Sequence, residues 1–225
     1  MKAASLFALA GALGVASATQ AEVIASFSFD DLAGSYTQSS STSGTFSAVA
    51  VDTINLQTAG DASRLIPTEG NAVFEAGFVS GANPADFQIS ISVNIDAPNH
   101  AVGSGSFTFT DADGDTITGD ISGEWVLVGS FLAFSGNLTN IFLNDNGAND
   151  NMFNGTDGSS TDWSMSFPGS QPFEGALVNL VFGATNFFGS NFSDRSTGVT
   201  AQIVPAPGAL ALVGLGGLAA ARRRR

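Results

Sequence analysis

Phe87-Gln88-Ile89-Ser90-Ile91-Ser92-Val93-Asn94-Ile95 places five apolar side chains at every second position, with four polar ones between them. A period of two puts one face of an extended strand on a core and the other in water. The same alternation recurs at Val23, Ala25, Phe27 and Phe29, at Phe107 and Phe109, at Trp163, Met165 and Phe167, and at Val199, Ala201 and Ile203. Trp125 to Phe134 and Leu177 to Phe182 are more continuously apolar, which predicts central strands covered on both faces. Clusters rich in Ser, Gly and Asn at Gln38 to Gly44, Asn144 to Asn151 and Asn154 to Thr161 read as loops. No 11-residue stretch between the two ends follows a 3.6 period. Residues 22–203 therefore read as one all-β domain of about ten strands, an antiparallel β-sandwich of jelly-roll type with a β-barrel as the alternative.

Composition narrows the function classes. The 225 residues are 44% hydrophobic and 12% charged, with 27 Gly and 19 Phe against one Tyr, the profile of a packed, turn-rich domain. Between Glu22 and Val204 only Arg64 and Arg195 oppose all twenty acidic residues, a formal charge of −18. A surface of that sign repels phosphate backbones and anionic headgroups, so nucleic acid is excluded as a partner. The absence of cysteine removes disulfides, thiolate chemistry and Cys-ligated zinc.

The two ends carry the address. Lys2, the apolar run Ala3 to Ala16 and the small residues around Ala18 and Ala21 match the three regions of a secretory signal peptide, so residues 1–21 are expected to be removed. At the other end, Val204-Pro205-Ala206-Pro207-Gly208 stops any strand. Ala209 to Ala221 then runs 13 residues without a polar side chain, and Arg222-Arg223-Arg224-Arg225 closes the chain. As a helix this run spans about 20 Å, short of a hydrocarbon core of roughly 30 Å, and the four arginines would hold the C-terminus on the cytoplasmic side.

Proline box, short hydrophobic helix and arginine cluster in that order, paired with a signal peptide, resemble the PEP-CTERM sorting signal of Gram-negative and related bacteria. The resemblance covers residues 204–225, and the family's glutamate between the prolines is Ala206 here. It implies export, transient anchoring in the inner membrane by the tail, cleavage near the proline box by an exosortase-type cysteine transpeptidase, and delivery to the cell surface or extracellular matrix. It implies nothing about the cargo domain.

Within that domain the best site candidate is Asp111-Ala112-Asp113-Gly114-Asp115. Three carboxylates at alternate positions suit Ca²⁺, which takes six to eight oxygens, at the affinity of extracellular modules. The spacing is not that of an EF-hand, since Thr116 stands where its glycine belongs and Ser122 where its bidentate acid belongs. The alternative is a plain hairpin with Ala112-Asp113-Gly114 as a three-residue loop, Gly114 left-handed, Phe109 opposite Ile117 and Asp111 across from Asp115. Asp145, Asp150 and Asp157 form a second, looser acidic group.

Catalysis finds little material. His100, the single histidine, lies near Pro98 with no Gly-x-Ser-x-Gly elbow anywhere, and Glu69, Glu75, Glu124 and Glu174 show no spacing that singles out a hydrolytic pair. Trp125 and Trp163 fall on strand patterns and read as core. The expectation is a non-enzymatic surface or matrix protein without a cofactor other than calcium. The alternatives are a calcium-dependent adhesion or carbohydrate-binding module, with extracellular polysaccharide as partner, and a secreted glycoside hydrolase.

Overall fold

The computed structural model describes residues 22–79, 85–146, 151–157, 162–167, 170–184 and 186–205. The signal peptide and most of the sorting tail, including Pro207, Gly208, Arg222, Arg223, Arg224, Arg225 and the expected hydrophobic helix, lie outside them. The described chain forms twelve strands and no helix: β1 (Ala25–Ser40), β2 (Ser43–Val49), β3 (Ala59–Leu65), β4 (Thr68–Phe74), β5 (Asp86–Ala97), β6 (His100–Thr110), β7 (Thr116–Val128), β8 (Phe131–Asn144), β9 (Met152–Phe153), β10 (Trp163–Ser164), β11 (Phe173–Gly183) and β12 (Phe192–Val204).

Alternation decides strand β5 as its sequence foretells. Phe87, Ile89, Ile91 and Val93 are buried, while Gln88, Ser90 and Asn94 are exposed. Its neighbours continue the pattern until the ladder closes: β1, β2, β5, β6, β7, β8, β11 and β12 pair in that order, and β12 returns to β1 from Ala25↔Ile203 to Phe29↔Val199. Every pairing is antiparallel. The result is a closed eight-stranded barrel with extra strands. Ring order follows chain order, with the β3–β4 hairpin set aside from the ring between β2 and β5.

A barrel of eight strands is just wide enough for side chains to fill. Here aromatic rings fill it. At one end Phe46 stacks on Phe182 at 4.9 Å, and Trp125 meets Phe134 at 4.8 Å and Phe188 at 5.1 Å. At the other end Phe109 meets Phe29 and Phe74 at 4.9 Å and Phe153 at 4.8 Å, and Phe153 stacks on Trp163 at 5.0 Å. Trp125 and Trp163 are core, as their strand patterns predict, and each indole N–H finds a carbonyl: Ser92 at 3.3 Å and Ala62 at 2.9 Å.

Strand β1 has two partners on one side. Its second half pairs with β2 from Ala33↔Val49, and its first half pairs with β3 from Ala25↔Arg64 to Asp30↔Ala59. Asp31, at φ 57°, stands at the changeover beside a register break, a bulge that bends the strand and lets the β3–β4 hairpin peel away from the ring. That hairpin carries the short β9–β10 pair. Arg64, 3% exposed, reaches from β3 to Glu69 at 3.0 Å, to the Ser166 carbonyl at 2.9 Å and to the Ser164 carbonyl, with its guanidinium 4.4 Å above Phe167.

Four sequence expectations need correction. Trp125 to Phe134 is not one central strand but the β7–β8 hairpin, turning at Gly129 (φ 62°), with Val128 and Phe131 exposed. In Leu177 to Phe182 a register break against β12 between Leu177 and Asn179 leaves Val178 exposed, so that strand is not covered on both faces. Gln38 to Gly44 is no loop: β1 and β2 run through it, apart from a turn at Ser41 and Thr42. Of the alternation at Trp163, Met165 and Phe167, only Trp163–Ser164 is strand.

Candidate metal centre

The acidic loop joins β6 to β7 at the end of the barrel closed by Phe109, Phe153 and Trp163. The hairpin register is the expected one, with Phe109↔Ile117 and Thr110↔Thr116 paired and the Asp111 N–H donating to the Asp115 carbonyl at 3.0 Å. Gly114, at φ 100°, supplies the left-handed residue that a three-residue loop needs.

Asp111 organises this loop. Its Oδ1 accepts the N–H groups of Asp113 (3.1 Å), Gly114 (2.9 Å) and Asp115 (2.8 Å), an Asx-type turn that satisfies three backbone donors with one oxygen. Its Oδ2 accepts the Asn154 N–H at 2.8 Å, across 43 residues of chain. Asn154 follows Phe153, whose packing on Phe109 sets the distance, and the next residue, Gly155, lies so close to β4 that a Cβ there would come within 2.2 Å of the Val73 carbonyl. Asn154 also donates its side-chain amide to Asp113 Oδ2 at 3.0 Å. From the far end of β8, Asn146 donates its backbone N–H to Asp115 Oδ1 at 2.9 Å and its amide to the Asp113 carbonyl at 2.7 Å.

Asp111, Asp113 and Asp115 thus converge. One carboxylate oxygen from each lies within 4.8 Å of the others; Asp111 and Asp115 are fully buried and Asp113 is exposed. Two oxygens bound to one Ca²⁺ at 2.3–2.6 Å lie at most about 5 Å apart, so the three fit a single ion. Burial, reinforced by a hydrogen bond with Asp113, pushes the Asp111 carboxyl up to about 7. The basic residues between Glu22 and Val204 are engaged elsewhere: Arg64 with Glu69, Arg195 with the Gly183 carbonyl and the Phe192 ring. Three acids of one sign, two of them out of water, are held together with neither described arginine among their partners. An ion there would neutralise them and take the mouth of the loop as its coordination sphere.

Asp145 and Asp157 are exposed, and Asp150 lies outside the described residues. Asparagines 146 and 154 are the residues that sequence reasoning missed. They act through backbone N–H groups that any residue type carries, and only their side-chain amides on Asp113 are particular to asparagine.

His100 sits at the other end of β6, half-buried between two acids, its Nδ1 2.5 Å from Asp96 and its Nε2 3.5 Å from Glu124. The hydrogen bond to Asp96 raises the imidazole above its ordinary value. Of the four glutamates named as hydrolytic candidates, Glu69 is committed to Arg64, Glu124 faces His100, Glu75 sits beyond the end of β4 and Glu174 is on β11. No family model, no curated protein and no solved structure matches the chain.

Proposed function

We propose that the chain is an exported, non-catalytic module of the cell surface or extracellular matrix, carried there by its PEP-CTERM-like tail, whose β6–β7 loop binds Ca²⁺ through Asp111, Asp113 and Asp115. One observation carries the calcium reading: three carboxylates on a single turn converge within 4.8 Å, two of them fully buried, with no basic side chain among their described partners. Outside a cell, calcium is present at millimolar concentration, the range in which loops of this kind bind. A bound ion ties the β6–β7 loop to Asn146 and Asn154, and so fastens the end of the barrel that β9 and β10 cover. The aromatic filling of the interior supports a scaffold rather than an enclosed reaction chamber.

The calcium part is tested by the melting temperature of the full-length chain with chelator and with millimolar CaCl₂. Calcium raises it, and Asp113→Ala, an exposed substitution, removes the rise; equal melting in both buffers defeats the reading. The export part is tested by intact-mass analysis of surface-exposed material. That material begins near residue 22 and ends near Pro205, without Arg222 to Arg225; a chain recovered whole from the cytosol contradicts it.

A further inference from the structure

Strand register lines up Val49, Gln88, Thr108, Thr118 and Phe142 as direct cross-strand partners on β2, β5, β6, β7 and β8. All five point away from the core, and the row ends on two exposed apolar side chains, Val49 (37% exposed) and Phe142 (40% exposed). A parallel row, Ser47, Ser90, Ser106 and Asp120, runs beside it. The surface between the rows is a shallow, open depression: a groove of about 400 Å³ over β6, β7 and β8 adjoins one of about 140 Å³ over β2, β5 and β6, and they share Ser106, Phe107 and Thr108. At the usual strand spacing the five strands make a trough about 19 Å long.

One end of the trough has a constructed wall. Strand β8 carries an extra residue there, since Thr118 faces Phe142 while Asp120 faces Thr139. The extra residue is Asn140, held at φ 51°, a conformation uncommon outside glycine. The bulge swings its amide onto Asp120 Oδ2 at 2.7 Å, setting a paired carboxylate and amide beside the exposed Phe142 ring. By contrast, the hydroxyls of Ser90, Ser106, Thr108 and Thr118 make no side-chain hydrogen bond to any described residue.

We infer that this trough binds a neutral polysaccharide lying across the strands. Its chemistry selects that occupant. Unspent hydroxyls in register, a Gln and an Asp–Asn pair offer both donors and acceptors to sugar hydroxyls, and the exposed Phe142 side chain offers an apolar aromatic surface for the C–H side of a pyranose. Asp120 is the one ionisable group of the lining, and the field of a domain at −18 repels polyanions. A peptide adding itself as a strand finds no edge, because each of these five strands is already paired on both sides. The inference does not rest on the calcium reading, since none of the lining residues belongs to the acidic loop.

Native electrophoresis of the full-length chain through gels containing β-glucan, xylan, mannan or dextran, each with chelator present, tests it. At least one of these neutral polymers retards the protein, and polygalacturonate does not. Phe142→Ala weakens that retardation about tenfold, the stacking contribution of one ring. Thr118→Val, nearly isosteric and half-buried, weakens it as well while keeping the wild-type melting temperature. Free migration in every neutral gel overturns the inference, as does undiminished retardation of both variants.

Discussion

Strand β6 carries a polar cluster at each end, and the two behave as opposites. At its start, His100 stands between Asp96 and Glu124 in a partly hydrated setting, one potential cation for two acids. Just past its end, Asp111, Asp113 and Asp115 gather three acids of one sign, two of them fully buried. The first cluster offsets one of its two negative charges with its own imidazole. The second relieves its repulsion by holding a proton, which the rise of Asp111 to about 7 expresses, or by taking a metal ion. Burial and sign, more than the number of ionisable groups, make one end a candidate site and the other an ordinary surface pair.

Removing a side chain from each end gives the largest contrast. Asp111→Ala leaves four backbone N–H groups, those of Asp113, Gly114, Asp115 and Asn154, without their acceptor, and at ~1–3 kcal/mol for each buried orphan the expected loss is about 5 kcal/mol. Urea unfolding measures it directly. A midpoint close to wild type means that the Asx turn and the Asn154 contact do not hold the loop.

Next comes the pH dependence in chelator. The folded-state value of Asp111 is raised, so between about pH 4 and pH 7 the folded chain binds more protons than the unfolded one. Its contribution is fully present below the unfolded value and is lost as pH rises through about 7. At 1.36 kcal/mol per unit the loss is at most about 4 kcal/mol, and Asp111→Asn flattens that part of the profile whatever its absolute stability. His100 is also raised, so its own small contribution disappears only above its ordinary value near 6.5. The two windows meet near neutral pH, and Asp111→Asn and His100→Ala assign each loss to its own end. A profile that is flat from pH 4 to pH 7 sinks the assignment of a buried proton to Asp111.

Calcium gives a smaller effect that is specific to one end. At ten times its dissociation constant a ligand adds about 1.4 kcal/mol, and the gain grows as pH rises toward and through about 7, then levels off, because proton and ion compete for the same carboxylates. The smallest effect belongs to the other end: His100→Ala leaves both the melting temperature and its calcium response at wild type, as expected where one exposed pair and one distant pair are lost. A calcium response that vanishes with His100 would move the site to the wrong end of β6.

Legibility in the sequence followed the range of the interactions. Strand β5 and the Phe109↔Ile117 register are local patterns, and both could be read directly from the spacing of apolar residues. Strands β3 and β4 could not. Alanine fills their inward positions at 62 and 72, and β3 buries Arg64, so the hairpin looks polar in one dimension. The triad's three acids were visible, whereas its depth was not: Asp111 and Asp115 are buried by chain that arrives more than 30 residues later, at Asn146 and Asn154. The bulge at Asn140 was equally hidden, because only pairing with β7 shows that β8 carries one residue too many. Closure of the ring depends on β12 returning to β1 across the whole domain, a long-range fact that alternation within a strand does not contain.

The most direct measurement is a crystal structure of the protein grown with 10 mM CaCl₂ at pH 8. The account predicts one strong peak in the β6–β7 loop, 2.3–2.6 Å from carboxylate oxygens of Asp111, Asp113 and Asp115. A loop with unchanged carboxylates and no peak among them, in crystals that hold calcium elsewhere, would contradict it.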